Sequence, residues 1–177
     1  AEAHNNLGVV LKEAGEHEQA LKHYKKAINI KNDYCEAYNN KGIILKLNKD
    51  LSAARKSYNI ALKINPNFSE AYYNLGNVQK EQNDFDTAIE NYKSAIRIQP
   101  DYKDAHNNLG LVYKEQGDLE SATASYLRAL KINPRYVEAW NNLAFSLQAF
   151  KLQGSPFDMF LASAPKEIFS SYGRIAA

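Results

Sequence analysis

Residues 69–102 read SEAYYNLGNVQKEQNDFDTAIENYKSAIRIQPDY, and residues 103–136 read KDAHNNLGLVYKEQGDLESATASYLRALKINPRY. Numbered from 1 to 34, both stretches have Gly at position 8, Ala at positions 20 and 27, Tyr at position 24 and Pro at position 32. The same spacing is present in residues 35–68 and, with Asn32 in place of the proline, in residues 1–34, and the first half of a fifth copy begins at Val137. A fixed period of this length identifies a repeat protein.

The spacing within one unit predicts a pair of helices. Each unit contains two stretches with helical periodicity, separated by turn-forming residues, and the proline at position 32 ends the second helix. Small residues at positions 8, 20 and 27 let the two backbones approach closely, and the tyrosine fills the space beside them. Because one pair cannot bury its own apolar face, we expect stacked pairs to form one continuous all-α solenoid.

This pattern resembles the tetratricopeptide repeat (TPR) family, which also has a large residue at position 4 and Leu at position 7. The resemblance covers residues 1–136, with departures at Lys41, Gln79 and Asn32. It implies a right-handed superhelix of helix–turn–helix units over residues 1–34, 35–68, 69–102 and 103–136. Residues 137–150 would then be the first helix of a fifth unit, which makes residues 1–150 a TPR array.

Composition narrows the function classes. The chain has 177 residues, of which 45% are hydrophobic and 24% charged, with a net charge of +2, so it is too weakly basic to suggest nucleic-acid binding. No apolar run approaches the roughly 18 residues of a membrane span. We therefore expect an intracellular, cytoplasmic protein with no membrane contact. The start at Ala1, without an initiator methionine, looks like a cut from a longer chain.

Residues suited to catalysis or metal binding are few. His4 and His106 stand at position 4, where other units have aromatic residues, so we interpret them as packing residues. His17 and His23 do not share a helix face and make a poor metal pair. Cys35 is interpreted as a small buried or half-buried thiol rather than a nucleophile. The sequence predicts no catalytic residue, no metal site and no cofactor, and hence no enzyme.

A row of asparagines is the most informative feature for function. Position 6 is asparagine in every unit: Asn6, Asn40, Asn74, Asn108 and Asn142. Asparagine is a mediocre residue for a helix interior, so its repeated use needs an explanation. A carboxamide both donates and accepts hydrogen bonds, and can therefore pair with the backbone of an extended peptide. Helices about 10 Å apart would place successive asparagines about three extended residues apart.

This row resembles the asparagine ladder of the O-linked N-acetylglucosamine transferases and their bacterial TPR relatives. The resemblance implies that the first helix of each unit lines a concave groove and that the position-6 asparagines hold a protein ligand by its backbone. Secondary contacts would come from positions 5 and 12: Asn39, Asn107, Lys46, Lys80 and Lys114. The alternative is that asparagine is a family preference at position 6, where it solvates an unused face or bonds neighbouring helices.

Two rows of charge flank the asparagines. Position 2 is acidic throughout, and position 12 is lysine in the first four units. Acids near helix N-termini and lysines near C-termini complement the helix macrodipole, which explains both rows without a ligand. The other interpretation is a groove with one acidic and one basic edge that orients a ligand.

The pattern ends after Phe150. Ser155 and Pro156 predict a new helix start, followed by an apolar stripe of Phe157, Phe160, Leu161 and Ala164. Residues 151–177 are open to three interpretations: an irregular second helix of unit five, a cap over the stack, or a foreign tail joined at Gly154-Ser155. Self-association through this tail or through the ends of the stack is a further option.

The sequence therefore predicts a protein–protein interaction module that binds an extended or helical peptide segment in a concave groove. Two other hypotheses stay open. The chain could be the substrate-recognition part of a larger transferase whose catalytic domain is absent, or a scaffold that assembles through its ends.

Overall fold

A computed structural model describes residues 1–152. Over these residues it contains α-helices and turns, without strands. The helices are α1 (Glu2–Glu13), α2 (His17–Ile30), α3 (Cys35–Leu47), α4 (Leu51–Ile64), α5 (Ser69–Glu81), α6 (Phe85–Ile98), α7 (Lys103–Glu115), α8 (Leu119–Ile132) and α9 (Val137–Leu152). The all-α prediction is confirmed, with two helices in each complete repeat unit. None of the helices within residues 1–152 is long and apolar enough to cross a membrane.

The helices fall into two compact bodies, which are described separately. The first, Ala1–Ile98, contains α1 to α6, and the second begins at Gln99 and contains α7 to α9. Helix α9 continues to Leu152, two residues beyond the predicted limit at residue 150. The predicted helix start at Ser155 and the apolar stripe of the tail lie outside the described residues.

The turn inside each complete unit depends on one backbone conformation at position 15. Gly15 and Gly117 have φ values of 79° and 81°, and Lys49 and Asn83 adopt the same left-handed region with φ values of 64° and 59°. Glycine enters this region without steric cost, whereas a side chain opposes it. Asp50 and Asp118 then cap α4 and α8, because their carboxylates accept hydrogen bonds from the Ala53 and Ser121 amides at 3.0 Å.

Close approach of the two helices explains the glycine at position 8. A Cβ added to Gly42 would lie 2.5 Å from Cε1 of Tyr58, and one added to Gly8 would lie 2.5 Å from Cε1 of Tyr24. The tyrosine at position 24 is fully buried in each complete unit, as are the alanines at positions 20 and 27. The tyrosine ring therefore occupies the volume that a larger residue at position 8 would need.

Apolar contacts join consecutive units within the first body. Ile44 of the second unit packs in one cluster with Ala20 and Tyr24 of the first. Leu75 and Val78 of the third unit pack in the same way with Ala54 and Tyr58 of the second. The second helix of one unit thus buries positions 7 and 10 of the next, as expected for stacked repeats.

The first helices of the units in the first body lie closer together than the second helices. Helix α3 contacts both α1 and α5, whereas no comparable contact joins α4 to α2 or to α6. A row of close helices backed by a row of separated helices is curved, with the close row on its inner side. The surface of α1, α3 and α5 is therefore the inner surface of the first body.

Buried tyrosine hydroxyl groups differ between units. The hydroxyl groups of Tyr24, Tyr58 and Tyr126 are buried without a hydrogen-bond partner. The hydroxyl of Tyr92 donates to Oδ1 of Asn77 at 2.7 Å. Burial raises the pKa of Tyr24 to about 12, because the phenolate would have to form away from water.

The Gly42→Ala substitution should lower the free energy of unfolding by about 1–3 kcal/mol, since overpacking displaces the Tyr58 ring. Urea denaturation followed by circular dichroism measures the change. In the Tyr58→Leu background, Gly42→Ala should lower the free energy of unfolding by less than it does in the parent chain, because leucine leaves room for the added methyl group. An equal cost of Gly42→Ala in both backgrounds would show that the tyrosine ring is not what excludes the methyl group.

The Tyr58→Phe substitution should leave the free energy of unfolding unchanged or raise it, because it removes a buried hydroxyl that has no partner. The matched Tyr92→Phe substitution should lower it by about 1 kcal/mol, since Asn77 loses a hydrogen bond. Denaturation curves of the two variants, compared with the parent chain, check this order. A larger cost for Tyr58→Phe than for Tyr92→Phe would contradict it.

Candidate functional site

The asparagines at position 6 are here called the ladder asparagines, and three of them, Asn40, Asn74 and Asn142, bond to the preceding unit. Nδ2 of Asn40 donates to Oδ1 of Asn5 at 3.0 Å. The same bond joins Asn74 to Asn39 within the first body and Asn142 to Asn107 within the second, each at 3.0 Å. One carboxamide of every such pair stands at position 6 and the other at position 5. The row is thus first of all a structural link between neighbouring first helices.

Positions 5 and 6 differ in their access to solvent. Asn39 and Asn107 are only 6% and 4% exposed, whereas Asn40, Asn74, Asn108 and Asn142 are half-buried and Asn6 is exposed. Buried carboxamides offer little surface to a ligand. Asn39 and Asn107 accept the hydrogen bonds of Asn74 and Asn142, and their role as secondary contacts stays a prediction.

The inter-unit bonds use only part of each ladder carboxamide. A carboxamide has two N–H donors and an oxygen with two lone pairs. For Asn40 and Asn74, one N–H is engaged by the preceding unit. The inter-unit bond leaves the carboxamide oxygen and the second N–H of both side chains unused. Asn108 is different, because its Oδ1 lies 3.4 Å from Nδ2 of Asn107.

One of the lysines at position 12 forms an ion pair with the next unit. Nζ of Lys46 lies 2.8 Å from Oε1 of Glu81 in the next unit, and the two side chains are 28% and 32% exposed. Such a partly exposed pair adds little stability but holds the lysine in place. Lys46, Lys80 and Lys114 each lie in the last turn of a first helix, as the macrodipole interpretation requires.

Three of the acids at position 2 accept hydrogen bonds from other side chains of the protein. Sγ of Cys35 donates to Oε2 of Glu36 at 3.2 Å, and Oγ of Ser69 donates to Oε2 of Glu70 at 3.1 Å. The hydroxyl of Tyr136 donates to Oδ1 of Asp104 at 2.7 Å. These bonds lie at the starts of first helices, so the acidic row has a structural use whether or not a ligand binds.

The third unit contains two side-chain hydrogen bonds that the sequence did not predict. Asn77 stands at position 9, where the other units have apolar residues, and it accepts the Tyr92 hydroxyl bond. Nδ2 of the buried Asn91 donates to Oε1 of Gln79 at 3.0 Å. The polar residue at position 11 is evident from the sequence, but its pairing with a residue twelve positions later depends on how the two helices pack.

Tyr73 also sets the third unit apart. It replaces asparagine at position 5, so this unit lacks the carboxamide that accepts a ladder bond elsewhere. Its ring is half-buried and lies 6.0 Å from the Tyr92 ring, at a tilt of 48°. The inner surface of the first body therefore combines the amides of Asn40 and Asn74 with one aromatic side chain.

Two histidines, His4 and His23, contact each other across the helix pair of the first unit. Nδ1 of His4 lies 3.1 Å from Nδ1 of His23, and both rings are half-buried. Positions 4 and 23 meet when the two helices of a unit pack, which the spacing along one helix could not reveal. Burial, together with the nearby His23, lowers the pKa of His4. Among the residues that the structure describes, no group of three or more metal-ligating side chains occurs.

Cys35 is a buried free thiol, as predicted. Burial raises the pKa of this thiol, and the Glu36 carboxylate raises it further. A thiol with a raised pKa forms little of the thiolate that acts as a nucleophile. The geometry around Cys35 thus offers no support for covalent catalysis.

The inter-unit amide bonds predict that the ladder asparagines differ in their effect on stability. Asn74→Ala should lower the free energy of unfolding by about 1–3 kcal/mol, because it leaves the buried Oδ1 of Asn39 without its donor. Asn6→Ala is the matched control at the same unit position and should change it by less than about 0.5 kcal/mol, since Asn6 is exposed. Chemical denaturation measures both. Equal costs would contradict a structural role for the inter-unit bond.

Family models match most of the chain. Residues 1–34 match a model described as tetratricopeptide repeat, and residues 44–83, 77–117 and 112–149 match a model described as TPR repeat. No curated protein matches the sequence significantly.

Solved structures give the same fold. A structure described as MamA is 22% identical, with a TM-score of 0.76, and the match covers 96% of both chains. Pseudomonas aeruginosa pilF is 20% identical, with a TM-score of 0.81 over 90% of this chain and 72% of that one. YrrB, described as a TPR protein with an unusual peptide-binding site, is 20% identical, with a TM-score of 0.70 over 91% of this chain and 82% of the other. From the repeat pattern, the helix pairs and the family match together, the chain belongs to the tetratricopeptide repeat family and is an all-α TPR solenoid.

Proposed function

We propose that the chain is a non-catalytic interaction module that binds an extended peptide segment of a protein partner on the inner surface of α1, α3 and α5. Repeats of this family generally serve as scaffolds for protein–protein interaction. The observation that carries the proposal is the pair of equivalent bonds by which Asn40 and Asn74 are held to the preceding unit, each at 3.0 Å. The peptide-binding site named for YrrB supports a peptide as the ligand class.

Fixed carboxamides suit a peptide backbone for two reasons. Their oxygen and second N–H can accept from a backbone N–H and donate to a backbone carbonyl. Because the carboxamides of Asn40 and Asn74 are already held by hydrogen bonds, binding immobilises little further freedom of these two side chains, which favours affinity. Contacts with the backbone depend weakly on peptide sequence. We therefore propose that Asn6, Asn40 and Asn74 hold the backbone in the first body.

Side chains beside the ladder would then supply selectivity. Val9 and Ile43 are half-buried at position 9 of the first two units. The third unit has Asn77 at position 9 and Tyr73 at position 5, both half-buried. Leu47 is 51% exposed at position 13, where the other complete units have glutamate. A peptide with apolar side chains over the first two units and a polar or aromatic one over the third fits this order. In the second body, Asn108 and Asn142 belong to the same row.

The first test is binding to an arrayed peptide library by the parent chain and by Asn6→Ala/Asn40→Ala/Asn74→Ala. The triple variant should lose most of the binding, by about tenfold or more in affinity if each asparagine contributes one hydrogen bond. Asn29→Ala/Asn59→Ala removes two exposed carboxamides from second helices and should bind as the parent does. Binding is measured at a temperature where circular dichroism shows every variant to be folded, because the ladder variants also lose structural bonds.

A second arm separates backbone contacts from side-chain contacts. Peptides that bind are resynthesised with single N-methylated amides, each of which removes one N–H donor. Loss of binding on N-methylation, with tolerance of alanine at most side chains, is the expected result. Binding that depends only on side chains, or that survives in the triple variant, would contradict the proposal.

A further inference from the structure

The second helices of the first two units carry a marked excess of positive charge. Over α2 and α4, six exposed side chains are cations and one, Glu18, is an acid. The cations, here called the outer basic surface, are Lys22, Lys25, Lys26, Arg55, Lys56 and Lys63. Helix α4 contains no acidic residue. Since α2 and α4 belong to the separated row of helices, this charge lies behind the inner surface of the first body.

The third unit shows that this excess is not required by the repeat. Position 22 is lysine in the first two units, Lys22 and Lys56, but glutamate in the third, Glu90. Helix α6 exposes two acids and two cations, so its charges balance. Among the second helices of the first body, the excess of positive charge is therefore confined to α2 and α4.

The cations of the outer basic surface are not neutralised by the rest of the described chain. Within residues 1–152, none of the six takes part in a salt bridge or a side-chain hydrogen bond. The one exposed acid, Glu18, stands four residues before Lys22 and offsets at most a single charge. Like charges on neighbouring helices raise the local potential and attract anions.

Lys41 adds a further cation where the repeat uses an apolar residue. It is half-buried at position 7, where Leu75 and Leu109 are 6% and 7% exposed. Its helix, α3, contacts both α2 and α4. Burial, together with the nearby Lys25, lowers the pKa of Lys41, because both disfavour the charged amine. A leucine would avoid this cost, whereas an anion bound nearby would favour the charged lysine.

We propose that the outer basic surface, together with Lys41, is a second interaction surface that binds an acidic segment of a protein partner. Five of the six surface cations are lysines. Their compact ammonium groups on flexible stems suit carboxylates at varied positions along a flexible chain. A partner held on α2 and α4 leaves the inner surface open to a peptide, so both surfaces can be occupied at once.

The exposed side chains of α2 and α4 favour a protein over two other polyanions. None of them is aromatic, because Tyr24 and Tyr58 are buried, so the surface offers no platform on which nucleic-acid bases could stack. The exposed large apolar residues are single isoleucines, Ile30 and Ile60, one on each helix. Helices that lie in a membrane interface present a continuous apolar face to the lipid. The apolar faces of α2 and α4 are instead buried in the protein.

The test measures binding of a fluorescently labelled polyglutamate peptide by fluorescence anisotropy. The Lys22→Glu/Lys56→Glu variant should weaken binding by about fivefold or more, because attraction at two sites becomes repulsion. Both side chains are exposed, and α6 already has glutamate at the same unit position, so we expect the variant to fold. Binding by the parent chain should weaken as the salt concentration rises.

A matched control separates the outer basic surface from net charge. Lys93→Glu/Arg97→Glu changes the net charge by the same amount at two exposed cations of α6. It should weaken polyglutamate binding by less than about twofold, because salt screens charges that do not contact the peptide. Equal losses in the two double variants would show that only net charge matters, and would overturn the proposal. So would a parent chain that does not bind polyglutamate.

Lys41→Leu tests the half-buried cation separately. The thermal unfolding midpoint should rise, because leucine suits the packing position, while polyglutamate binding should weaken by about twofold. A structural role alone would not move the binding. A higher midpoint with unchanged binding would overturn the part of Lys41 in the proposal.

Further probes distinguish the other occupants. A labelled DNA duplex and vesicles containing phosphatidylserine should bind the parent chain more weakly than polyglutamate does. Tighter binding of either probe, lost in Lys22→Glu/Lys56→Glu, would overturn the assignment to a protein segment. So would a parent chain that self-associates in light scattering and becomes monomeric in this variant, because a second copy would then be the occupant.

Peptides selected on the inner surface should bind Lys22→Glu/Lys56→Glu as they bind the parent chain. The substituted residues lie on second helices, whereas the ladder asparagines lie on first helices. Failure of the inner-surface proposal would therefore leave the polyglutamate result unchanged, and the reverse also holds.

Discussion

The fold depends on the contact between the glycine at position 8 and the tyrosine ring at position 24. This contact sets how closely the two helices of a unit pack, since the ring lies where a Cβ would be. The spacing of the pair then decides which side chains are left to face the next unit. The alanine at position 20 keeps the second helix narrow enough for positions 7 and 10 of the following unit to pack on it. Stacking is therefore a consequence of packing inside each unit.

Stacking in turn makes the ladder asparagines both structural and available. Their inter-unit bonds form only when first helices lie side by side, and they leave the carboxamide oxygen and one N–H of Asn40 and Asn74 unused. A carboxamide can serve in both ways because it has more hydrogen-bonding groups than the inter-unit bond uses. The two interpretations of the asparagine row, a link between helices and a grip on a ligand, are thus compatible. Only the first is visible in the contacts of the free protein.

Much of this architecture could be predicted from the sequence, because the residue types that pack the helices recur at the same position of each unit. The glycine–tyrosine contact, the helix pairs and the buried thiol of Cys35 all follow from period and residue size. The burial of Asn39 and Asn107 and the pairing of His4 with His23 could not be predicted in the same way. Both depend on how far one helix is rotated relative to its neighbour, which a one-dimensional pattern does not contain. The hydrogen bonds of Asn91 with Gln79 and of Tyr92 with Asn77 could not be predicted either, because the residue type at one position does not show which side chain of the other helix lies beside it.

The buried hydrogen bond between Asn91 and Gln79 distinguishes the third unit from the other units. Near-identical repeats share their apolar positions, so a first helix could pair with the second helix of a different unit at little cost in hydrophobic burial. Buried amides change that balance, because Asn91 would lose its carboxamide partner against the leucine or tyrosine that occupies position 11 in the other units. The Gln79–Asn91 pair thus favours one alignment of the chain during folding and penalises arrangements shifted by a whole repeat.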